Sequence, residues 1–330
     1  LLFNTRYSTN NVKVFRKNYL PAGNAWRDRW VTFSGNAPDG TPYMGSAAQR
    51  IVIVDAMNSA LVSSTEARAE QNYFNLMAAP GYIECFAEMV ALNTDKNNVA
   101  FVIGDTPRDL AASGTAIQNW ANNAADVAED SSAGLITHSP YAGLWYPWGL
   151  APDLAGNEVL VPSSLIALRT IAYSDSVSYP WFPPAGFNRG LVTGVSSVGY
   201  VDATGSYVPV TLNQGQRDVL YQNNINPIAY IPGRGLVVYG QKTLDPIASA
   251  LDRVNVSRLI NYLVYNLDNL AKPFLFELND STTQASVRQA FNGYLQHLVT
   301  QRAFSDFAVV CADSTNTPAR LAPPPLWIAI

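Results

Sequence analysis

Three short apolar runs constrain the fold more than any other feature of the chain. Ile51-Val52-Ile53-Val54 ends in Asp55-Ala56-Met57-Asn58, the segment from Val99 to Ile103 is wholly apolar, and Leu144-Trp145-Tyr146 repeats the pattern. A short apolar run without polar alternation reads as a strand covered on both faces, followed here by a turn. Segments of helical character separate these runs: Tyr82 to Leu92, Thr115 to Ala128, and a stretch opened by Pro162-Ser163-Ser164 that continues through Ala172. In the last of these, serine caps exposed N–H groups and Leu165, Leu168 and Ala172 share one face. Strands alternating with helices of about 10–15 residues imply a mostly parallel sheet with crossover helices, an α/β architecture.

From Tyr179 to Gly190 the chain is too dense in proline and glycine for an element interior, which makes this segment a fixed, aromatic-packed loop and a domain joint. Beyond it, helices are expected at Gln216–Asn223, Val256–Leu270 and Ser281–Val299, and strands at Gly235–Gly240, Phe274–Glu277 and Phe307–Cys311. Three regions follow: 1–48, a loop and hairpin region linking to a preceding or outer domain; 49–190, the α/β domain; and 191–330, an α+β domain.

Charge is sparse, at 14% of 330 residues, against about 25% in average soluble proteins. It is also uneven. Residues 1–50 hold seven Lys/Arg against two Asp/Glu, residues 51–190 five against fourteen, and residues 191–330 nine against nine. An acidic middle beside a basic leader favours self-complementary packing, whereas nucleic-acid binding calls for a concentrated basic face that nothing beyond the leader supplies. No apolar run approaches the length of about 18 residues that a membrane span needs. Cys85 and Cys311 each lie in an apolar stretch and read as two free buried thiols. The chain starts at Leu1 and stops within the strand-like Leu326-Trp327-Ile328-Ala329-Ile330, so both ends are expected to be cut points in a longer chain.

The joint and the region after it carry an ordered series of motifs. Pro184-Ala185-Gly186-Phe187-Asn188-Arg189-Gly190 comes first. Gln216-Arg217-Asp218 with Leu220-Tyr221 and Ile225-Asn226-Pro227 follows, and then Gly233-Arg234-Gly235 to Tyr239-Gly240-Gln241-Lys242-Thr243. Asp252-Arg253-Val254-Asn255-Val256 with Arg258-Leu259, Phe276-Glu277-Leu278-Asn279, and Val309-Val310-Cys311 to Asn316-Thr317-Pro318 complete it. The series resembles the contractile tail sheath family of myovirus-type bacteriophages, through its PAGYNRG loop, QRDxLYxxxINP helix and exit, GxGxxxYGxKT strand, DRINVRRL helix start, FELN and VVCDxxNNTP. Length and style point to a giant phage of the phiKZ type. Ser257 departs from the pattern, since the family usually has the first Arg of a pair there, which puts an ionic contact at that position in doubt.

The resemblance implies a subtilisin-like first domain and a sheath subunit that stacks as hexameric rings around a tail tube, meets baseplate and tail terminator proteins, and resides in the virion after assembly in the host cytoplasm. It also implies terminal arms that add strands to neighbouring subunits. The motifs stop before such an arm, so this chain alone is expected to be a monomer. The same surface in a tailocin, a type VI-like apparatus or another contractile injection system would read alike. A subtilisin-like hydrolase is the alternative of a different class. A serine triad needs a nucleophile, a base and an orienting acid. Asp55 can imitate the acid and His138 is the histidine at hand, but no serine opens a helix from a Gly-rich turn, and Gly114-Thr115-Ala116 has the wrong side chain. No catalytic, cofactor or metal site is expected, because the two histidines are far apart and no cysteines cluster. Gly233-Arg234-Gly235 enters a strand instead of opening a helix and lacks the Lys-Ser/Thr pair of a phosphate loop. Glu84 and Glu88, one helical turn apart, read as a solvated or interface-facing pair.

Candidate subunit or tube contacts are Arg217, Asp218, Arg253, Arg258 and Arg288. Arginine suits the task because its planar fork bonds carboxylates in pairs. Arg258 could meet a carboxylate of its own chain or of a neighbour. Gly233, Gly235 and Gly240 bracket a strand where the backbone must turn tightly or approach a neighbour.

Overall fold

The computed structural model describes residues 35–36, 42–43, 45–128, 131–202 and 204–311. The loop region before residue 35, the strand expected at 326–330 and the Asn316-Thr317-Pro318 motif lie outside the described residues. A two-residue antiparallel pair, β1 (Gly35–Asn36) with β2 (Pro42–Tyr43), precedes helix α1 (Gly45–Ser63). α1 corrects the first expected strand. Ile51 to Val54 lies inside a 19-residue helix, and the Asp55–Asn58 turn is helical too. A short apolar run does not by itself distinguish strand from helix, and here Ala, Gln, Met and Leu on both sides extend the helical state past it.

A short helix α2 (Thr65–Arg68) leads to β3 (Leu76–Ala78), and a 3-10 turn at Ile83–Cys85 leads into α3 (Phe86–Asp95). Then come β4 (Phe101–Asp105), α4 (Gly114–Ala121), β5 (Ala142–Tyr146), β6 (Trp148–Pro152), β7 (Glu158–Val161) and α5 (Ser163–Val177). The expected joint holds only the four-residue α6 (Gly186–Arg189). β8 (Ser197–Val201), β9 (Tyr207–Pro209), α7 (Gln214–Gln222), β10 (Ile225–Ile231) and β11 (Gly235–Val238) follow it. Last are α8 (Val254–Ala271), a 3-10 turn at Lys272–Phe274, and α9 (Ser281–Thr300).

The main sheet has the order β11-β10-β5-β4-β3, with β3, β4, β5 and β10 parallel and β11 an antiparallel edge. β4 and β5 are buried along their whole length, including Asp105 at the end of β4, beyond the apolar run that ends at Ile103. Side chains alternate between faces. Val102, Leu144 and Tyr146 join Phe86, Ile117 and Leu220 on one side, while Phe101, Ile103 and Trp145 meet Ile166 and Ile171 of α5 on the other. A second, antiparallel sheet of order β7-β6-β8-β9 was not legible from the apolar runs. The chain crosses the expected joint at 190 and returns to both sheets: β10 pairs with β5, and β8 with β6.

Two further expected strands are absent. Phe274 to Glu277 is a 3-10 turn and its exit, because Pro273 removes a donor and α8 runs directly into it. Phe307 to Cys311 carries a single bridge residue, Val310, and no strand. α8 and α9 instead pack on each other around Leu259, Leu267, Val287, Phe291 and Leu295. The proline-rich loop inserts Trp181 into this cluster, stacked on Tyr179 at 4.7 Å and donating through Nε1 to the Gln301 carbonyl at 3.1 Å. Cys85 and Cys311 are both free and buried.

Among the described residues the buried charged side chains are Asp105 and Arg258. Asp105, at the C-terminal end of β4, accepts from the Gly81 and Ser164 backbone N–H groups, each at 2.6 Å, and from the Ser163 and Ser164 hydroxyls at 3.0 and 2.8 Å. It thereby ties β4 to the N-terminus of α5, where unsatisfied N–H groups favour an acceptor. Burial nonetheless pushes its carboxyl above the ordinary range, against these hydrogen bonds.

Candidate interaction surface

The motif residues, distant in sequence, converge on one face of α7 and on the segment after β11. α7 begins with a reciprocal capping box, in which Asn213 accepts from the Gln216 backbone and Gln216 from the Asn213 backbone, each at 2.9 Å. The helix thereby presents Arg217, Asp218 and Tyr221 beside Pro227 and Tyr239, and these line a groove of about 410 Å³. Gly240 allows the close approach: a Cβ there would stand 2.9 Å from both Asn226 Oδ1 and Pro227 Cδ. The Gly233–Gly235 turn needs left-handed backbone at both glycines, with φ of 76° and 86°.

Aromatic rings hold the cations in this surface. The Arg217 guanidinium lies 5.7 Å from the Tyr239 ring centre and donates to the Leu212 carbonyl at 2.8 Å. Arg234 sits 5.4 Å over Phe187, which is itself 6.1 Å from Tyr239. Lys242 and Arg253 flank Tyr221 at 5.1 and 5.7 Å, and both pair with Asp252, at 3.3 and 3.0 Å. Arg253 also donates to the Tyr221 hydroxyl, and that hydrogen bond raises its pKa further. Each such cation–ring contact at an exposed site contributes about 0.5–1 kcal/mol. Arg217, Arg234, Lys242 and Arg253 outnumber Asp218 and Asp252, so the surface is electropositive and complements an acidic one.

Of the five residues singled out from the sequence, Arg217, Asp218 and Arg253 meet here. The other two do not. Arg258 is 3% exposed and bonds Asp175 of α5 through both guanidinium nitrogens, at 2.9 and 2.6 Å, so its carboxylate partner is in its own chain. Ser257 beside it is fully buried, so the departure from the family pattern faces the interior. Arg288 of α9 donates to the Cys311 carbonyl at 2.7 Å. Lys242, Tyr239, Phe187 and Arg234 belong to the same motifs and join the surface although the sequence alone does not mark them as contacts.

The acid and base imagined for a triad do not meet among the described residues. Asp55 is exposed on α1, and His138 is exposed in the loop between α4 and β5. Glu84 is not solvated: Arg50 bonds its carboxylate and lies 5.0 Å over the Tyr82 ring, one point where the basic leader meets the acidic middle.

The sequence is similar to tail sheath proteins of Vibrio phage KVP40 (41% identical over 174 residues, 53% of this chain and 22% of that protein) and Enterobacteria phage T4 (37% over 175 residues, 53% and 23%). The chain is a relative of phage tail sheath proteins. The tail sheath protein of Salmonella phage ViI is a further relative, 30% identical over 184 residues. The matches span less than a third of each of these sheath proteins, and none of them bears on a phiKZ-type origin. No family model matches the chain. The mixed α/β fold of this sheath relative is shared with the anti-feeding prophage baseplate (TM-score 0.57, 20% identity, 78% of this chain and 66% of that one). It is shared also with the PVC sheath complex of an extracellular contractile injection system in its contracted state (TM-score 0.54, 21% identity, 78% and 67%).

Proposed function

We propose that this chain is part of a structural subunit of a contractile tail sheath, which stacks as hexameric rings around a tail tube, contacts baseplate and terminator proteins, and contracts to drive the tube through the host envelope. The observation that carries this reading is the sequence relation to phage tail sheath proteins. The subunit belongs to the virion, after assembly in the host cytoplasm. Its α/β part is read as subtilisin-like in architecture but without a triad, so a serine-reactive fluorophosphonate probe is expected to leave it unlabelled. A contractile injection system is the second reading, favoured by the fold shared with the anti-feeding prophage and PVC assemblies.

Driving a two-state unit from mostly one form to mostly the other needs about 5.5 kcal/mol of differential stability. Shared over a hexamer, that is roughly 1 kcal/mol per subunit, the scale of one or two rearranged polar contacts. Charged, partly buried groups such as Arg253, Asp252 and Lys242 suit this exchange, because swapping partners exposes no apolar core. Electron microscopy of the longer protein containing this chain tests the reading: tubular polymers are expected, and dispersed particles under all assembly conditions would contradict it. Arg217 and Arg288 are the proposed tube-facing cations. Reversing either charge is expected to weaken tube binding in a pull-down at least several-fold, and unchanged binding removes that residue from the interface.

A further inference from the structure

Among the described residues, two exposed apolar surfaces carry opposite charge. The turn between α8 and α9 carries the Phe276-Glu277-Leu278-Asn279 motif, with Phe276 wholly exposed and Leu278 79% exposed. Glu277 between them is exposed and forms no ion pair among the described residues. Elsewhere, α5 and the segment after the proline-rich loop enclose an apolar groove of about 670 Å³, lined by Leu165, Leu168, Tyr173, Leu191 and Val195. Arg169 is the cation among its lining residues, no carboxylate lines it, and Arg169 is exposed without an ion pair among the described residues. An apolar knob that carries an acid thus matches an apolar hole that carries a base.

We propose that the Phe276–Leu278 turn of one copy seats in the α5 groove of a second copy, with Glu277 against Arg169. The inference rests on the sheath reading and names one of its subunit contacts. Knob and groove share no residue, so the contact is head-to-tail and repeats from copy to copy, closing a ring or continuing a helix according to the rotation between subunits. Such a small patch falls below the size of a stable interface, about 1,200 Å² in total, and acts only alongside other contacts.

Disulfide trapping tests it. One preparation of the chain carries Phe276→Cys, the other Leu165→Cys, and the native thiols Cys85 and Cys311 are buried. Mixed at high concentration under mild oxidation, the two are expected to give a mixed disulfide-linked dimer at several times the yield of Phe276→Cys with Leu154→Cys, a control on a wholly exposed hairpin tip. Adding Glu277→Arg or Arg169→Glu alone is expected to lower that yield several-fold, and combining them to restore it. Circular dichroism and thermal melts confirm that each variant is folded. A yield no higher than the control, or charge reversals without effect, overturns the contact. If the longer protein still forms tubes in that case, the sheath reading stands and only this contact falls; absence of both removes both.

Discussion

Arg258 shows how a residue suited to an interface can be absorbed by its own fold. Its guanidinium is buried and doubly bonded to Asp175, so α8 and α5 are joined by a charge pair largely withdrawn from water. Removing one partner of such a pair leaves the other uncompensated, at a cost of about 3–5 kcal/mol. Arg258→Ala is therefore expected to lower the denaturation free energy by roughly 3 kcal/mol, and Arg258→Lys to recover only part of it, since lysine keeps the charge without the fork. Urea unfolding checks both, and a loss within error of zero contradicts the assignment. Asp105 poses a different problem, because both of its oxygens accept from backbone N–H groups. Asparagine would aim an NH2 at one of those donors, and Asp105→Asn is expected to cost about 1–3 kcal/mol. Burial raises the folded pKa of Asp105 above its unfolded value, so its titration favours the fold at pH below that unfolded value and loses this effect as pH rises through the folded one. The stability advantage of the native chain over Asp105→Asn is accordingly expected to shrink as pH rises from about 4. An advantage that grows with pH would refute the raised pKa.

At the scale of elements, helices were easier to read than strands. α5, α7, α8 and α9 fall close to their expected spans: Asn213 caps α7 and Asp280 caps α9, whereas α5 and α8 start without a side-chain cap, and the expected serine cap of α5 is replaced by Asp105, to which Ser163 and Ser164 donate. The capping box of α7 makes Asn213→Ala worth about 1 kcal/mol, and since this helix presents Arg217 and Tyr221, thermal denaturation and tube binding are both expected to register the change. Short apolar runs were less informative. Ile51 to Val54 became helix and Phe274 to Glu277 a turn, while Ala142 to Tyr146 became a central strand. The antiparallel sheet is marked along the chain by its turns. Asp153 to Asn157 and Asp202 to Ser206 are paired hairpin turns of the same plan, each Asp side chain accepting from N–H groups two and four residues on. Those hydrogen bonds hold both carboxyls below their ordinary range, led by the Asn157 side chain in the first and the Thr204 hydroxyl in the second.

At the scale of the whole molecule, both sheets draw strands from either side of residue 190, so stability is shared across the expected joint. The chain by itself is expected to sediment as a monomer at micromolar concentration, because the contacts proposed here are individually small; a ring or tube formed by this chain alone would contradict that. The electropositive surface and the apolar groove are set by different elements.

The α/β character, the main helices, the buried free thiols and the motif series that signals kinship with tail sheaths can be read along the chain. These depend on local caps, on periodicity and on residue identity, all of which are written along the chain. Folding in three dimensions is what turns Arg258 inward to Asp175 and gathers Arg217 and Arg253 about Tyr239 and Tyr221. That choice depends on which helix faces lie against a sheet and which remain in water, a property of packing between segments distant in sequence.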